Sequence, residues 1–348
     1  MINVGVVGIG FMGWIHWLAY KASKDIQVGA ICTRDAKRRS GDWRGIQGNF
    51  GPPGEQVDLT GIRAFEHLDG LLKDPSIELV DLCLPPNLHA DAAVQALAAG
   101  KHVFVEKPMA LTPAECDRMV EAARKANRRL FVGHVLPFVP EYREARRIIS
   151  EGAHGKLLGG SFMRTISDPT WLKDFYEPLK VGGPLVDLTV HDAHLVRLLF
   201  GMPEAVTSQG RMRGDVVEYC TSMFRFPDPS LVVSISGGVV NQQGRPFTHG
   251  FEIHLEKATL QYEFAVIDGK PRLLLPLTVY EADGKVRTPD MGDGNPVRAF
   301  EDEIAEIVRA LGSGGSSPVL GGDLARDALR ICRAQTEAVR SRREARIL

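Results

Sequence analysis

The feature that most constrains the fold is a glycine-rich turn that directly follows the first apolar run of the chain. The run Val4–Val7 leads into Gly8-Ile9-Gly10-Phe11-Met12-Gly13, where a helical pattern begins. In such a strand–turn–helix the first glycine permits a tight turn, the second lets a pyrophosphate approach the backbone, and the third lets helix and strand pack closely. The helix N-terminus also attracts phosphate charge. The motif predicts a dinucleotide site at Gly8, Gly10, Phe11, Met12 and Gly13, against the alternative of a glycine turn without a ligand.

The first half of the chain alternates short apolar runs with helical patterns. Runs of this kind, hidden on both faces, are typical of parallel strands in a doubly wound sheet. The predicted strands are Ile2–Val7, Gln27–Cys32, Leu79–Leu84, His102–Val105 and Leu130–Gly133. One predicted helix follows the glycine turn and ends near Ser23. Three further predicted helices cover Glu66–Lys73, Asn87–Ala99 and Pro113–Ala126. The Gly/Pro-rich segment Ser40–Asp58 has no period of 2 or 3.6 residues, so we expect a surface loop there.

In the second half, predicted strands follow one another without intervening helices, which indicates an antiparallel or mixed sheet. They cover Lys156–Ile166, Val216–Phe226, Leu231–Ser236, Phe251–Glu256, Thr259–Phe264 and Arg272–Tyr280. Helices are predicted over Glu141–Glu151, Pro184–Phe200, Pro296–Leu311 and Gly322–Arg346. A chain of 348 residues is long enough for two domains of about 100–200 residues each. We expect a Rossmann domain over residues 1–134 and an α+β domain over residues 135–348.

Composition excludes several classes of protein. The 42 Lys and Arg residues balance 43 Asp and Glu residues, so the chain lacks the positive charge that nucleic acid binding demands. A charged fraction of 24% and a hydrophobic fraction of 44% are typical of a soluble globular protein, with no membrane partner. The five cysteines lie far apart without a CxxC pair, which favours a reducing cytoplasm over a disulfide framework or a zinc site.

The end of the second predicted strand should decide which dinucleotide binds. A carboxylate there would hold a ribose 2′-hydroxyl, and a basic residue would accept a 2′-phosphate. The strand runs into Thr33-Arg34-Asp35, followed by the basic residues Lys37, Arg38 and Arg39. Thr33 and Arg34 favour NADP over NAD. Asp35 opposes this prediction, and the basic cluster could also be only a solvated helix face.

Two further sets of residues have the chemistry of a reaction site. Glu106-Lys107-Pro108 follows a predicted parallel strand, at the edge of the sheet where ligands bind, although a lysine in a turn is commonly just a surface residue. Asp187, His191 and His194 share one stripe of a largely apolar predicted helix. The stripe could be an acid–base site, a metal site, or buried polar groups with ordinary partners.

The chain resembles the glucose-fructose oxidoreductase / inositol dehydrogenase / MocA family (Gfo/Idh/MocA) along essentially its whole length. The resemblance rests on motifs in family order, namely the GFMG loop, Cys83-Leu84-Pro85-Pro86-Asn87-Leu88-His89, Gly100-Lys101-His102-Val103-Phe104-Val105-Glu106-Lys107-Pro108 and Asp187-x-x-x-His191. It implies a Rossmann domain followed by a domain with a large, mostly antiparallel open sheet, through which we expect a homodimer or homotetramer. It also implies NAD(P)-linked oxidoreduction of a sugar, aminosugar or cyclitol.

Residue roles follow from that resemblance by position. Lys107 matches the family's catalytic lysine, Asp187 its substrate-binding carboxylate, and His191 its proton-transferring histidine. We further expect Pro85, Asn87, His89 and Glu106 at the cofactor, and His134, Trp171 and His194 at the substrate. Many inositol dehydrogenases of the family have a carboxylate where His194 stands, so an inositol-like substrate is not implied.

The main functional hypothesis is therefore hydride transfer between a nicotinamide and a secondary alcohol or ketone, without a metal. In it, Lys107 stabilises the developing oxyanion and His191 exchanges the hydroxyl proton, so the two side chains should converge on the nicotinamide. The alternatives are an NAD-dependent glycoside hydrolase with transient redox, and a dinucleotide-binding regulator without catalysis. We also expect a cis peptide bond between Lys107 and Pro108, since an X–Pro bond has only a small trans preference.

Overall fold

The computed structural model describes residues 1–347 apart from 171, 173 and 293, and it divides into two compact units. The first unit contains Met1–Val139 and Asp293–Arg326, and the second contains Pro140–Gly292 and Asp327–Leu348. The sequence prediction assigned everything after residue 134 to the second domain. The structure differs because the helix near residue 300 packs with the first unit. None of the described helices is long and apolar enough to cross a bilayer.

The first unit is built on a six-stranded parallel sheet in the order β3-β2-β1-β4-β5-β6. The strands are β1 (Ile2–Val7), β2 (Ile26–Cys32), β3 (Arg63–Phe65), β4 (Leu79–Leu82), β5 (His102–Glu106) and β6 (Leu130–Gly133). This order confirms the predicted doubly wound Rossmann sheet. The sequence did not reveal β3, because three residues at a sheet edge with only one partly buried apolar ring leave no detectable apolar run.

Helices connect these strands. They are α1 (Phe11–Ala22), α2 (Ala36–Arg39), α3 (Leu68–Leu72), α4 (His89–Ala98) and α5 (Pro113–Ala126), and α8 (Val297–Gly312) joins them from the second half of the chain. The start of α5 shows why its predicted bounds are confirmed. Thr112 accepts the N–H of Glu115 while the Glu115 side chain accepts the Thr112 N–H, and Pro113 occupies the first turn.

The segment Ser40–Asp58 is an irregular loop, as predicted, but it has an apolar core of its own. Trp43 is fully buried and contacts two tryptophans of α1 edge to face, with ring centroids 6.0 Å from Trp14 and 5.0 Å from Trp17. The Trp14 Nε1 donates to the carbonyl of Pro52. The loop is therefore fixed against α1 rather than loosely exposed.

The second unit contains a nine-stranded sheet in the order β14-β13-β12-β11-β7-β10-β9-β8-β15. Its strands are β7 (Leu157–Ser167), β8 (Ala205–Arg213), β9 (Val216–Arg225), β10 (Val232–Val240), β11 (Phe247–Leu255), β12 (Ala258–Ile267), β13 (Lys270–Glu281), β14 (Val286–Arg287) and β15 (Ala345–Arg346). Only the β7–β10 pair is parallel among the pairs of this sheet, so the predicted mostly antiparallel sheet is confirmed. Strand β8 was not predicted; its second half is exposed and polar.

The remaining helices are α6 (Pro140–Glu151), α7 (Val190–Phe200) and α9 (Gly322–Ser341). The predicted helix over Pro184–Phe200 needs a correction. Residues Leu185–Thr189 form a π-helix, and only Val190–Phe200 is an α-helix. In the π-helical turn the Thr189 hydroxyl donates to the Leu185 carbonyl, and a π-helix pairs residues five apart. The last predicted helix also ends at Ser341, because the chain then joins the sheet as β15.

Candidate functional site

Each glycine of the turn after β1 meets a different steric demand. Gly8 has a φ of 93°, and a Cβ there would lie 2.4 Å from the Cys83 carbonyl oxygen. A Cβ on Gly13 would lie 2.2 Å from the Gly8 carbonyl oxygen. A Cβ on Gly10 would meet no atom within 4 Å. Gly8 and Gly13 are thus required by the protein's own packing, whereas Gly10 borders open space that a ligand can enter.

No side chain caps the N-terminus of α1, and no acidic side chain of its first turn neutralises it. Gly10 is its N-cap and offers no side-chain hydrogen bond, and the first turn contains no acidic residue. The backbone N–H groups and the helix dipole therefore act on the space beside Gly10. Phe11 and Met12 are partly buried at this turn. These residues fit a dinucleotide pyrophosphate.

At the end of β2, the residues predicted to select between NAD and NADP make contacts that the sequence did not predict. Asp35 caps α2, accepting the N–H groups of Lys37 and Arg38 at 2.9 and 3.3 Å. Arg34 is exposed. The Nη1 of Arg38 instead donates to the Ile9 carbonyl at 2.6 Å and so reaches the glycine turn. The sequence grouped Arg38 with a general basic cluster because its spacing from Gly8 gives no sign of this contact.

The three residues after β4 that we expect at the cofactor differ in their exposure to solvent. Asn87 and Pro85 are exposed, whereas His89 is completely buried. The Nδ1 of His89 lies 2.9 Å from the Pro108 carbonyl, and its Nε2 lies 2.7 Å from the Leu84 carbonyl. Burial lowers the pKa of His89, against the effect of these two carbonyls. His89 therefore joins the loop after β4 to the loop after β5.

The Glu106–Lys107 pair stands at the carboxyl end of β5. Glu106 is 6% exposed, and its Oε2 accepts the Lys107 backbone N–H at 3.1 Å. Lys107 is partly exposed. The peptide bond between Lys107 and Pro108 is cis, as predicted. His134, which follows β6, is completely buried.

In the second unit, the predicted polar stripe divides by exposure. Asp187 and His191 are partly exposed, while their neighbours Leu188, Thr189 and Val190 are buried. His194 is completely buried. Asp187 lies in the π-helical turn and His191 in the first turn of α7. Asp187 and His191 are therefore accessible to a small molecule in a way that His194 is not. Trp171 lies outside the described residues.

A residue that the sequence analysis did not select anchors this helix. Asp192, next to His191, accepts from Nε and Nη2 of Arg164 at 2.8 and 3.1 Å, and both side chains are buried. The two-pronged contact fixes Asp192 in place. No sequence signal pairs them, because Arg164 comes from β7 and lies 28 residues away.

Comparisons with known proteins agree with this fold. A family model described as an oxidoreductase family with an NAD-binding Rossmann fold matches residues 2–134, and a Gfo/Idh/MocA C-terminal domain matches residues 142–261. The chain is 29% identical to myo-inositol 2-dehydrogenase of Thermotoga maritima, over 58% of this chain and 55% of that protein. It is 30% identical to levoglucosan dehydrogenase of Pseudarthrobacter phenanthrenivorans, over 60% of this chain and 53% of that protein.

These two matches span only about half the length of the relatives. A solved levoglucosan dehydrogenase in complex with NADH and L-sorbose superposes with a TM-score of 0.83, covering 100% of this chain and 99% of that one. Its identity of 23% supports the fold alone. The two family models together cover well over half of the residues. The chain therefore belongs to the Gfo/Idh/MocA oxidoreductase family.

Proposed function

We propose that the protein is an NAD(P)-dependent oxidoreductase that acts on a secondary alcohol or ketone of a sugar, aminosugar or cyclitol. The observation that carries the proposal is the turn after β1, where Gly8 and Gly13 are sterically required and Gly10 borders open space. The uncapped start of α1 supplies the matching electrostatics for a pyrophosphate. Membership in an oxidoreductase family with this Rossmann domain supports the same assignment.

The bound dinucleotide would supply the hydride acceptor or donor. The protein's own groups then handle the oxygen and the proton. The Lys107 ammonium stabilises negative charge on the reacting oxygen, and His191 takes or returns the hydroxyl proton. Asp187 holds a neighbouring hydroxyl or orients the His191 ring. In this proposal Lys107 and His191 act on one substrate, and a crystal structure with dinucleotide and substrate tests it: side chains more than about 10 Å apart would exclude direct cooperation.

A substrate screen tests the proposed reaction. Purified protein is mixed with NAD or NADP and a panel of sugars, aminosugars and cyclitols that includes levoglucosan and myo-inositol, and nicotinamide absorbance is followed. We expect a change with at least one substrate, and a much slower but still measurable change in Lys107→Met. Product formation without net absorbance change would indicate transient redox, as in a glycoside hydrolase. Tight dinucleotide binding without any conversion would indicate a regulator.

For the cofactor we propose a preference for NADP. Thr33 presents no carboxylate to a 2′-phosphate, and the Asp35 carboxylate is already used by the α2 N-cap. Arg34 is exposed and is the first candidate for a phosphate contact. Arg38 is the second candidate, because it reaches the glycine turn while its Nε lies 3.6 Å from the Asp35 carboxylate. Titration of both oxidised cofactors against wild type, Arg34→Ala and Arg38→Ala tests this. NAD binding at least as tightly as NADP, with no selective loss of NADP in either variant, contradicts it.

For the assembly we propose a homodimer or homotetramer that forms through the nine-stranded sheet. Its outward face carries small polar side chains and a methionine in register, with Met223 beside Ser234 and Ser234 beside Ser161. Met223 is 56% exposed. Light scattering of the wild type and Met223→Glu is the test. A wild-type monomer at micromolar concentration contradicts the proposal.

A further inference from the structure

A buried histidine lies directly beneath the Glu106–Lys107 pair. His16, on α1, has no exposed surface and stands between two carboxylates. Its Nδ1 lies 2.8 Å from Oδ2 of Asp81 on β4, and its Nε2 lies 3.0 Å from Oε1 of Glu106. The first contact is a hydrogen bond, and the second is a close ion pair without hydrogen-bond alignment. Three separate elements of the first unit thus meet at one imidazole.

The His16 ring is held on several sides. The Tyr20 hydroxyl donates to the same Asp81 oxygen at 3.0 Å, which fixes the carboxylate that orients the ring. The Phe104 ring stacks on the imidazole with centroids 5.0 Å apart and planes within 13°. Any rotation of the imidazole would break the hydrogen bond to Asp81 and the stacking together.

The charge of His16 suits a lasting contact with Glu106. Burial alone would lower the pKa of His16, but the adjacent Asp81 charge and hydrogen bond raise it well above the ordinary value. This direction favours the cationic form of the imidazole. Glu303, on α8, also borders the cluster, and burial together with the Glu106 charge raises its pKa well above its ordinary value. His16 is thus the buried basic group that this cluster places against Glu106.

Glu106 transmits this constraint to Lys107. One of its oxygens faces His16, and the other accepts the Lys107 backbone N–H at 3.1 Å. The neighbouring strand leaves room for this arrangement at Gly133. A Cβ there would lie 2.9 Å from Glu106 Oε1, and its three nearest atoms all belong to Glu106, so an alanine would displace the carboxylate.

We propose that His16 is a positioning residue for Lys107, acting through the Glu106 carboxylate. The proposal rests on the proposed function, in which Lys107 stabilises the reacting oxygen. His16 and Asp81 fix Glu106, Glu106 fixes the backbone at Lys107, and the ammonium is thereby aimed. A displacement of about 1 Å at a reacting group can lower a rate on the order of 10²-fold, so a buried anchor has a measurable catalytic effect.

The same donor atoms could in principle hold a metal ion. His16, Asp81 and Cys83 present ligand atoms within 4.8 Å of one another among the described residues. A metal at His16 Nδ1 would replace the proton that bonds to Asp81 at 2.8 Å. Metal binding therefore contradicts the proposal, and the experiment includes a metal measurement.

The experiment perturbs the anchor at two independent places. His16→Leu removes the cation, and Gly133→Ala displaces the Glu106 carboxylate. We expect each variant to lower kcat on the order of 10²-fold on the best substrate of the screen, measured at saturating dinucleotide. In the Lys107→Met background neither change should lower the residual kcat further, because both act through Lys107. His102→Leu, at the opposite end of β5, is the matched control and should retain wild-type kcat.

Readouts without turnover accompany the kinetics. Nitrogen NMR of histidine-labelled protein should show both ring nitrogens of His16 protonated at pH 7.5, and thermal melts report folding of every variant. Wild-type kcat in a folded Gly133→Ala or His16→Leu variant contradicts the proposal, as does an additional loss of kcat in the Lys107→Met background. Stoichiometric metal that His16→Leu abolishes also contradicts it. A wild type without dinucleotide-dependent conversion instead refutes the proposed function.

Discussion

Each of the two units buries a carboxylate immediately beside a proposed reacting residue. In the first unit, Glu106 precedes Lys107 and contacts His16. In the second unit, Asp192 follows His191 and receives both prongs of the Arg164 guanidinium. The two anchors have the same design, since a buried cation holds the chain neighbour of the reacting group. Lone surface ion pairs contribute little to stability, whereas buried pairs are costly to break.

The two anchors differ in their cation. The Arg164 guanidinium remains charged at any pH in which the protein folds, and its fork matches one carboxylate. His16 can lose its proton, and it shares its surroundings with three carboxyl groups, of which Glu303 has a raised pKa. The anchor beside His191 should therefore be insensitive to pH, and the anchor beside Lys107 should weaken as pH rises. The predictions below test this contrast.

The largest expected effect is at the reacting residue of the second unit. His191→Ala should lower kcat on the order of 10²–10⁴-fold, because a positioned acid–base group supplies about that factor. Dinucleotide affinity should remain nearly unchanged, since the glycine turn lies in the other unit. Steady-state kinetics and cofactor titration measure both quantities. Wild-type turnover in the variant would mean that His191 is structural and that Asp192 anchors nothing catalytic.

The next effect concerns stability of the second unit. Asp192→Ala leaves the Arg164 charge buried without its carboxylate, which should lower the free energy of unfolding by about 3–5 kcal/mol. Urea denaturation measures the change. Glu204→Ala is the control: it removes an exposed ion pair with Arg225, 2.6 Å long, and should cost at most about 1 kcal/mol. Equal losses in both variants would show that burial does not strengthen the Arg164 anchor.

Local sequence patterns select the proposed reacting residues but not the residues that anchor them. Lys107 follows a recognisable strand, and Asp187 and His191 stand four apart in a largely apolar segment, so local patterns located them. The glycine turn and the parallel sheet were predicted for the same reason, because their signals are contiguous in the chain. The π-helical turn at Leu185–Thr189 was not, since a pattern of apolar residues does not distinguish a π-turn from an α-turn.

The anchors escaped prediction because their partners come from distant elements. His16 resembles any other residue on the buried face of α1, and Arg164 resembles any long side chain on a strand. Their roles exist only once the sheet places β4, β5 and α1 together, or β7 against α7. The role of Asp35 was ambiguous for a related reason. Whether its carboxylate turned toward a ribose or capped α2 depended on the loop conformation.

A tyrosine hydroxyl lies beside a charged group of each anchor, Tyr20 beside Asp81 and Tyr142 beside Arg164. Tyr20 donates to the charged Asp81 at 3.0 Å, so Tyr20→Phe should cost about 1.5–3 kcal/mol. The hydroxyl of Tyr142 lies 2.8 Å from Nδ1 of His249, whose pKa is held well below its usual value by burial and by Arg164. The same hydroxyl also interacts with the Arg164 guanidinium, so Tyr142→Phe should likewise cost about 1.5–3 kcal/mol. Urea denaturation of both variants measures the two costs, and a loss below about 0.5 kcal/mol in either variant contradicts the prediction.

The smallest expected effect is a change in the slope of the free energy of unfolding against pH. It concerns Glu303, in the buried cluster of the first unit. Burial and the Glu106 charge raise the pKa of Glu303 well above its usual 4.5, so the folded protein holds a proton that the unfolded chain releases. Its contribution to stability is therefore complete below about pH 4.5 and is lost as pH rises toward the folded pKa. The free energy of unfolding should fall with pH by about 1.4 kcal/mol per unit on this account.

Glu303→Gln imitates the neutral acid and has no proton to lose, so it should remove that part of the slope. We expect the variant to match the wild type near pH 4 and to become more stable relative to it at every higher pH. Urea denaturation in steps between pH 4 and pH 6.5 measures the difference below the range in which His16 begins to contribute, because a raised pKa makes its own loss start above about 6.5. Parallel stability curves for the two proteins would mean that Glu303 is ionised in the fold. In that case His16 alone would make the stability of the first unit's buried cluster depend on pH, and the contrast with the anchor beside His191 would rest on His16.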